Sequence, residues 1–114
     1  MAIVKNHAGT IAVSEKALQQ AVIDLARLAG WICDHTLRST GSAAGSPDLC
    51  LVRNDVLIVA ELKSQSGRVT PAQAAWLQAL AAVTHVEAAV WRPADWDAIE
   101  RRLLLRPPTK VVST

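Results

Sequence analysis

The sequence predicts an α/β domain in which helices flank a four-stranded mixed sheet, with the element order α-β-β-β-α-β-α. Apolar residues recur at helical spacing in three segments, and two apolar runs are joined by a short polar turn. A strand–helix–strand unit follows them. Because a short turn joins antiparallel strands and a helical crossover joins parallel ones, the sheet contains both kinds of pairing.

The 114 residues, 51% of them hydrophobic, suffice for one compact domain. We expect its core at about residues 14–103, between a short N-terminal lead-in and a C-terminal tail. The net charge of +2 permits nucleic-acid binding without arguing for it. Without a second domain to carry specificity, we expect the chain to oligomerise.

The two cysteines, Cys33 and Cys50, fall in predicted strands without metal-ligand spacing, and we interpret them as small buried apolar residues of a protein in a reducing compartment. No signal peptide and no apolar run long enough to span a membrane is recognisable. These observations predict a soluble, cytoplasmic protein with no membrane partner.

The helices have recognisable ends. Ser14 is a candidate N-cap for a helix that reaches about Ala29 and ends at Gly30. The second helix starts at Thr70–Gln73 with a cap, a proline and a capping-box glutamine, and the third opens at Pro93. The apolar stripes that we expect to face the core are Leu18, Ala21, Val22, Leu25 and Ala29 in the first helix, Trp76, Leu77, Leu80 and Val83 in the second, and Trp96, Ile99 and Leu103 in the third.

The predicted strands are residues 31–35, 49–52, 56–62 and 86–91. If Asn54 and Asp55 form a two-residue turn, Arg53 faces Val56 across the hairpin. A four-residue loop centred on the same point keeps this register, whereas a three-residue loop shifts it.

This register places two carboxylates opposite each other. Asp48 lies five residues before Arg53 and Glu61 lies five residues after Val56, so the two acids face each other across the hairpin. Like charges in that arrangement are destabilising. Lys63 follows Glu61 by two residues and therefore lies on the same face of the strand.

An isolated Glu-x-Lys pair is usually a solvated surface ion pair. Here Glu61 ends the apolar run 56–60, which is typical of a buried central strand. Buried carboxylates need partners, and a divalent metal ion suits a pair of them. The sequence therefore predicts a Mg²⁺ or Mn²⁺ site at Asp48 and Glu61.

Glu15 and Gln73 begin their helices on the core-facing stripes, so we expect both side chains to point toward the sheet. Each has an alternative interpretation that the spacing leaves open. Glu15 suits the positive end of a helix dipole, and Gln73 completes a capping box.

With these residues the chain resembles the PD-(D/E)XK nucleases, and within them the small VRR-NUC domains and related Holliday-junction-resolvase-like enzymes. The resemblance covers about residues 14–103 and depends on Glu15, Gly45–Asp48, Glu61–Lys63 and Gln73. It implies a restriction-endonuclease-like core and metal-dependent cleavage of DNA. Small members of this kind resemble phage or bacterial enzymes, so it also implies a homodimer that acts on branched DNA in a bacterial or phage-infected cell.

The resemblance also implies roles for residues of this chain. The Leu62 backbone carbonyl would join Asp48 and Glu61 as a metal ligand, and Glu15 would bind the metal directly or through water. Lys63 would orient the nucleophile and stabilise negative charge in the transition state. Gln73 would bind a phosphate oxygen or position Lys63.

DNA contacts are predicted for polar residues in or beside loops near the acidic pair, with ordinary surface charge and a merely mobile loop as the alternatives. They are Arg38, Ser39, Ser42, Arg53 and Arg68. The leading hypothesis is a structure-specific endonuclease. The alternatives are a nuclease that acts on flaps or linear duplex and a non-catalytic DNA-binding or assembly subunit.

Overall fold

The computed structural model of the chain describes residues 13–35 and 44–105. The elements are α1 (Glu15–Leu28), β1 (Ile32–His35), β2 (Leu49–Arg53), β3 (Val56–Leu62), α2 (Pro71–Ala81), β4 (Val86–Trp91) and α3 (Trp96–Leu104). The predicted order is confirmed. One difference is that Pro93 opens a short 3₁₀ turn, Pro93–Asp95, so the third α-helix begins three residues later than expected.

The sheet has the strand order β1-β2-β3-β4. The β1/β2 and β2/β3 pairs are antiparallel and β3/β4 is parallel, so the mixed sheet is confirmed. Arg53 pairs with Val56, which is the predicted hairpin register. The turn between them is possible because Asn54 adopts a left-handed φ of 57°, a conformation that asparagine tolerates.

The two faces of the sheet are covered by different helices. One face packs against α1 and α3 and forms the core, whose sheet residues include Leu49, Leu51, Ile58, Ala60 and Leu62. The alternate residues of β3, Val59 and Glu61, point to the other face, where α2 lies. Helix α1 begins as predicted, since Ser14 Oγ accepts a hydrogen bond of 3.1 Å from the Ala17 backbone N–H.

Helix α2 differs from its prediction. Its capping box at Thr70 and Gln73 forms as expected. The expectation that its apolar stripe lies in the core is wrong, because Trp76 is 39% exposed and Val83 is 53% exposed. In the part of the chain that the structure describes, α2 packs mainly against the edge strand β4. Helical spacing shows which residues share a face but not what covers that face.

A polar cluster lies at the turn end of the hairpin. Arg53 is buried, and its Nη1 donates to the carbonyls of Ala29 (3.1 Å) and Leu103 (2.9 Å), while Nη2 donates to the carbonyl of Leu105. Its guanidinium lies 4.3 Å from the centre of the Trp31 ring. The expectation that Arg53 lies near the acidic pair is therefore wrong, since it belongs to the opposite end of β2. Strand alternation places it on the core face, two residues beyond Leu51.

Candidate active site

The site is built where β2 begins and β3 ends. Asp48 Oδ2 accepts a hydrogen bond of 2.9 Å from the backbone N–H of Leu62. The observed register ends at Leu49 and Ala60, and its continuation by two residues places Pro47 opposite Leu62. The Asp48 side chain therefore takes the Leu62 N–H that a strand neighbour would otherwise bind, and this holds the carboxylate against the end of β3.

Pro47 has a second effect on the same peptide. The N–H and C=O of one strand residue point to the same side, so the Leu62 carbonyl is directed toward the β2 side, as its N–H is. Proline has no N–H and cannot donate a ladder hydrogen bond to that carbonyl. The geometry thus suits the predicted use of the Leu62 carbonyl as a metal ligand.

Glu61 is 1% exposed and lies on the face of the sheet that α2 covers. Gln73 Nε2 donates a hydrogen bond of 2.9 Å to Glu61 Oε1. Gln73 Oε1 in turn accepts from the Thr70 backbone N–H at 2.9 Å. Because the capping box occupies the amide oxygen, the amide NH₂ is turned toward the carboxylate. One side chain therefore both completes the capping box and points toward the sheet, the two alternatives that the spacing left open.

Lys63 follows β3 and is 9% exposed. Its backbone N–H donates to the Trp91 carbonyl at 3.0 Å, which continues the parallel ladder and places Lys63 on the face of Glu61. A Cβ added to Gly67 would lie 3.5 Å from Lys63 Cδ, so the turn that follows the lysine packs on its stem. The structure thus brings Lys63 to the site end of the strand in a confined conformation.

The segment that leads into Asp48 docks on the first turns of α2. Gly45 has a φ of 84°, and a Cβ at this position would lie 2.5 Å from the backbone carbonyl carbon of Ala72. Trp76 Nε1 donates to the Ala44 carbonyl at 3.1 Å. Glycine is required here by both its backbone conformation and the close approach of the helix.

Glu15 differs from its prediction, because it is exposed rather than directed into the sheet. The buried stripe of α1 begins only at Leu18. Since Arg53 binds the C-terminal end of α1, the first turn of this helix lies at the other end, which is the end of Asp48. Among residues 13–35 and 44–105, no three His, Cys, Asp or Glu side chains form a group that could hold a metal ion. Glu15 therefore does not join Asp48 and Glu61 in a cluster of three carboxylates.

The remaining predicted DNA contacts divide into two groups. Arg38, Ser39 and Ser42 lie outside the described residues. Arg68 is exposed on the connection between Lys63 and α2, a position compatible with a DNA contact.

Sequence reasoning missed Arg92, which binds the turn after Lys63. It also missed the effect of Pro47 on Leu62 and the contact of Trp76 with the Ala44 carbonyl. One signal for Arg92 was available in the sequence. Arg92 directly follows β4 and Lys63 directly follows the parallel strand β3, so both residues lie at the same edge of the sheet.

Cys50 shares the sheet face of Asp48 and Glu61. Burial raises the pKa of its thiol above the ordinary value, and the charge of Asp34 raises it further. A raised pKa keeps the thiol protonated and weakens it as a nucleophile. Cys33 and Cys50 are half-buried, so the expectation that they are buried is wrong in degree. Cys50 is suited to packing beside the site rather than to chemistry.

The arrangement offers two carboxylates and a backbone carbonyl beside a buried lysine. Oxygen ligands of this kind suit hard divalent ions such as Mg²⁺ and Mn²⁺. The described part of the chain contains no helix long and apolar enough to cross a membrane.

Comparisons with known proteins identify the family of the chain and support its fold. The family model of the VRR-NUC domain matches residues 10–94. A solved structure described as a VRR_NUC domain protein superposes with a TM-score of 0.61 and 19% sequence identity, over 82% of this chain and 92% of that one. The search of curated proteins found no match. The chain therefore belongs to the VRR-NUC domain family, within the PD-(D/E)XK class of nucleases.

Proposed function

We propose that the protein is a metal-dependent endodeoxyribonuclease that hydrolyses phosphodiester bonds in DNA. Its family indicates a nuclease. The observation that carries the finer proposal is the arrangement at the end of β3. There Asp48 is bound to the Leu62 backbone, the neighbouring Glu61 is buried and held by Gln73, and Lys63 follows the strand on the face of Glu61.

The residues that would hold Mg²⁺ or Mn²⁺ are Asp48, Glu61 and the Leu62 carbonyl. When bound, such an ion neutralises phosphate charge and lowers the pKa of a coordinated water. For Glu15 we propose only an outer contact through water, because it lies at this end of the domain without joining the two carboxylates.

The other residues orient these groups and the substrate. Gln73 fixes one oxygen of Glu61 and so restricts the direction of the second. The Lys63 ammonium would donate hydrogen bonds to the oxygens of the scissile phosphate, where negative charge increases in the transition state. Arg68, exposed on the following connection, would contact a neighbouring phosphate of the same strand.

We further propose that the enzyme acts as a homodimer on branched DNA. An open apolar groove runs between α2 and β4, and its lining carries no charged side chain. It is lined by Val69, Ala74, Leu77, Gln78, Ala81, Ala88, Ala89 and Val90. A second copy placed on this surface would bury it and provide two sites, as paired cuts across a junction require.

The dimer is tested by Ala81→Arg, which places a charge in the groove at a position remote from Asp48. We expect the solution mass to fall from that of a dimer to that of a monomer, measured by light scattering. A wild-type protein that is monomeric at all concentrations contradicts this part of the proposal without affecting the nuclease assignment.

The activity is tested with a four-way junction, a flap and a linear duplex of matched sequence at one salt concentration, because salt strongly controls DNA affinity. We expect cleavage of the junction with Mg²⁺ or Mn²⁺, and loss of cleavage in Asp48→Asn and Glu61→Gln. Asp55→Asn is the matched control, since Asp55 is an exposed carboxylate at the turn end of the hairpin.

Three results would change the conclusion. Preferential cleavage of flaps or linear duplex would assign a different substrate to the same chemistry. Junction binding without cleavage, with metal affinity unchanged in both site variants, would favour the non-catalytic DNA-binding subunit. Equal loss of activity in Asp55→Asn would show that the effect of the two site substitutions is not specific to Asp48 and Glu61.

A further inference from the structure

Arg92 connects the end of β4 to the turn that follows Lys63. Its Nη1 donates to the carbonyls of Ser64 (2.8 Å) and Gly67 (2.7 Å), with a longer contact to that of Gln65 (3.3 Å). Its own backbone N–H donates to Asp95 Oδ2 at 2.9 Å. The Arg92 backbone is thus fixed by Asp95, and its guanidinium binds backbone carbonyls of the turn 64–67.

A second hydrogen bond links the turn 64–67 to the 3₁₀ turn Pro93–Asp95. The Ala94 backbone N–H donates to Gln65 Oε1 at 3.0 Å. Within the turn, the Gly67 N–H donates to the Ser64 carbonyl at 3.2 Å. The four residues 64–67 are therefore held against the start of the 3₁₀ turn from two sides, and Arg92 supplies the charged donor.

This turn determines the space that Lys63 can occupy. Gly67, whose carbonyl Arg92 binds, packs close to the lysine stem, and the lysine is 9% exposed. A free lysine side chain samples many rotamers, and burial removes most of them. If the turn moved away, the stem would lose its cover and the ammonium would no longer be held at the site.

We propose that Arg92 is a positioning residue for Lys63. It holds the turn 64–67 over the lysine stem and so keeps the ammonium in the orientation that phosphodiester cleavage needs. The proposal rests on the proposed nuclease function for its consequence in catalysis. Its structural part, the confinement of Lys63, can be measured without any cleavage.

The confinement is measured by acylation of lysines under native conditions, followed residue by residue with mass spectrometry. In Arg92→Ala we expect Lys63 to react at least about tenfold faster than in wild type, a lower bound that corresponds to losing a single one of the charged hydrogen bonds that Arg92 makes. The exposed Lys16 is the internal reference, and Arg101→Ala, which removes an exposed arginine from α3, is the matched control. An unchanged Lys63 rate in folded Arg92→Ala overturns the proposal.

The consequence for catalysis is measured in single-turnover cleavage with a double-mutant cycle. We expect Arg92→Ala to lower the rate constant by about 10²-fold, as displacement of a reacting group does. No further loss is expected when Lys63 is already alanine, because Arg92 acts through Lys63. An equal loss in both backgrounds would show that Arg92 acts by another route.

Two further readouts separate positioning from stability and from DNA binding. When folded enzyme saturates the DNA, partial unfolding leaves the single-turnover rate constant unchanged, so a lower rate constant reports on positioning. Junction affinity measured without cleavage should stay at the wild-type value. If Arg92→Ala does not fold, Arg92→Lys keeps one charged donor for the turn, and we expect it to give intermediate Lys63 acylation. If wild type cuts no DNA, the proposed function fails, and the acylation result still decides whether Arg92 confines Lys63.

Discussion

The polar cluster around Arg53 gives a sharp test, because the sequence predicts a DNA contact and the structure shows a buried side chain. Arg53→Ala removes donors from the carbonyls of Ala29, Leu103 and Leu105 and the contact with the Trp31 ring. The lost hydrogen bonds contribute about 1.5–3 kcal/mol each and the ring contact about 0.5–2 kcal/mol. Water that enters the vacated space will satisfy some of the carbonyls.

The full sum is about 5–11 kcal/mol, and because water replaces part of the lost interactions we expect the free energy of unfolding to fall by about 3–5 kcal/mol, at or below the lower end of that sum. Domains of this size are stable by only about 5–15 kcal/mol, so the variant should be marginal. At about 4 °C per kcal/mol the melting temperature should fall by about 12–20 °C. Urea unfolding followed by tryptophan fluorescence measures the loss directly, because Trp31 reports on the cluster.

Arg68→Ala is the matched control, since Arg68 is exposed near the site. Its stability should change by less than about 0.5 kcal/mol, as for most surface substitutions. Its DNA affinity should fall, and the slope of log affinity against log salt concentration should be smaller by about one phosphate contact. Arg53→Ala, assayed well below its melting temperature, should bind DNA as wild type does. The reasoning is refuted if Arg53→Ala keeps its stability and loses DNA affinity.

Three other variants test single contacts. Gly45→Ala places a methyl group against Ala72, and strain together with overpacking should cost about 2–4 kcal/mol in thermal unfolding; a change under about 0.5 kcal/mol would show that the segment docks elsewhere. Pro47→Ala restores an N–H opposite Leu62, and we expect weaker Mn²⁺ binding in calorimetry with folding retained; an unchanged affinity argues against the carbonyl as a ligand. The raised pKa of Cys50 predicts slow alkylation at pH 8. Because the folded state then binds the proton more tightly, stability should also fall as pH rises above the unfolded-state pKa near 9, and Cys50→Ala should lose that part of the pH dependence.

The sequence predicted what depends on neighbours along the chain. The hairpin register followed from one two-residue turn at Asn54, and that register alone placed Asp48 opposite Glu61. The capping box of α2 followed from four consecutive residues. Such features are local, so the residue types determine them nearly alone.

Features that depend on distant segments were predicted less well. The exposure of Trp76 depends on what packs against α2, which spacing does not reveal. Arg92 reaches backbone atoms 25 to 28 residues earlier in the chain, and no local pattern marks that contact. Arg53 is different, because strand alternation from Leu51 already implies that its side chain lies on the core face. Its charge instead led to the interpretation of a surface residue that contacts DNA.

The hairpin that joins Asp48 to Glu61 also has a consequence for how the domain assembles. Hairpins of this size close in about 1–10 μs, earlier than pairings that need a long crossover. Gln73 can reach Glu61 only after α2 has docked. We therefore expect Asp48 and Glu61 to face each other, whenever the hairpin forms, before Gln73 is in place to hold Glu61. A chain still being synthesised would then offer both acids to divalent ions before the domain is complete.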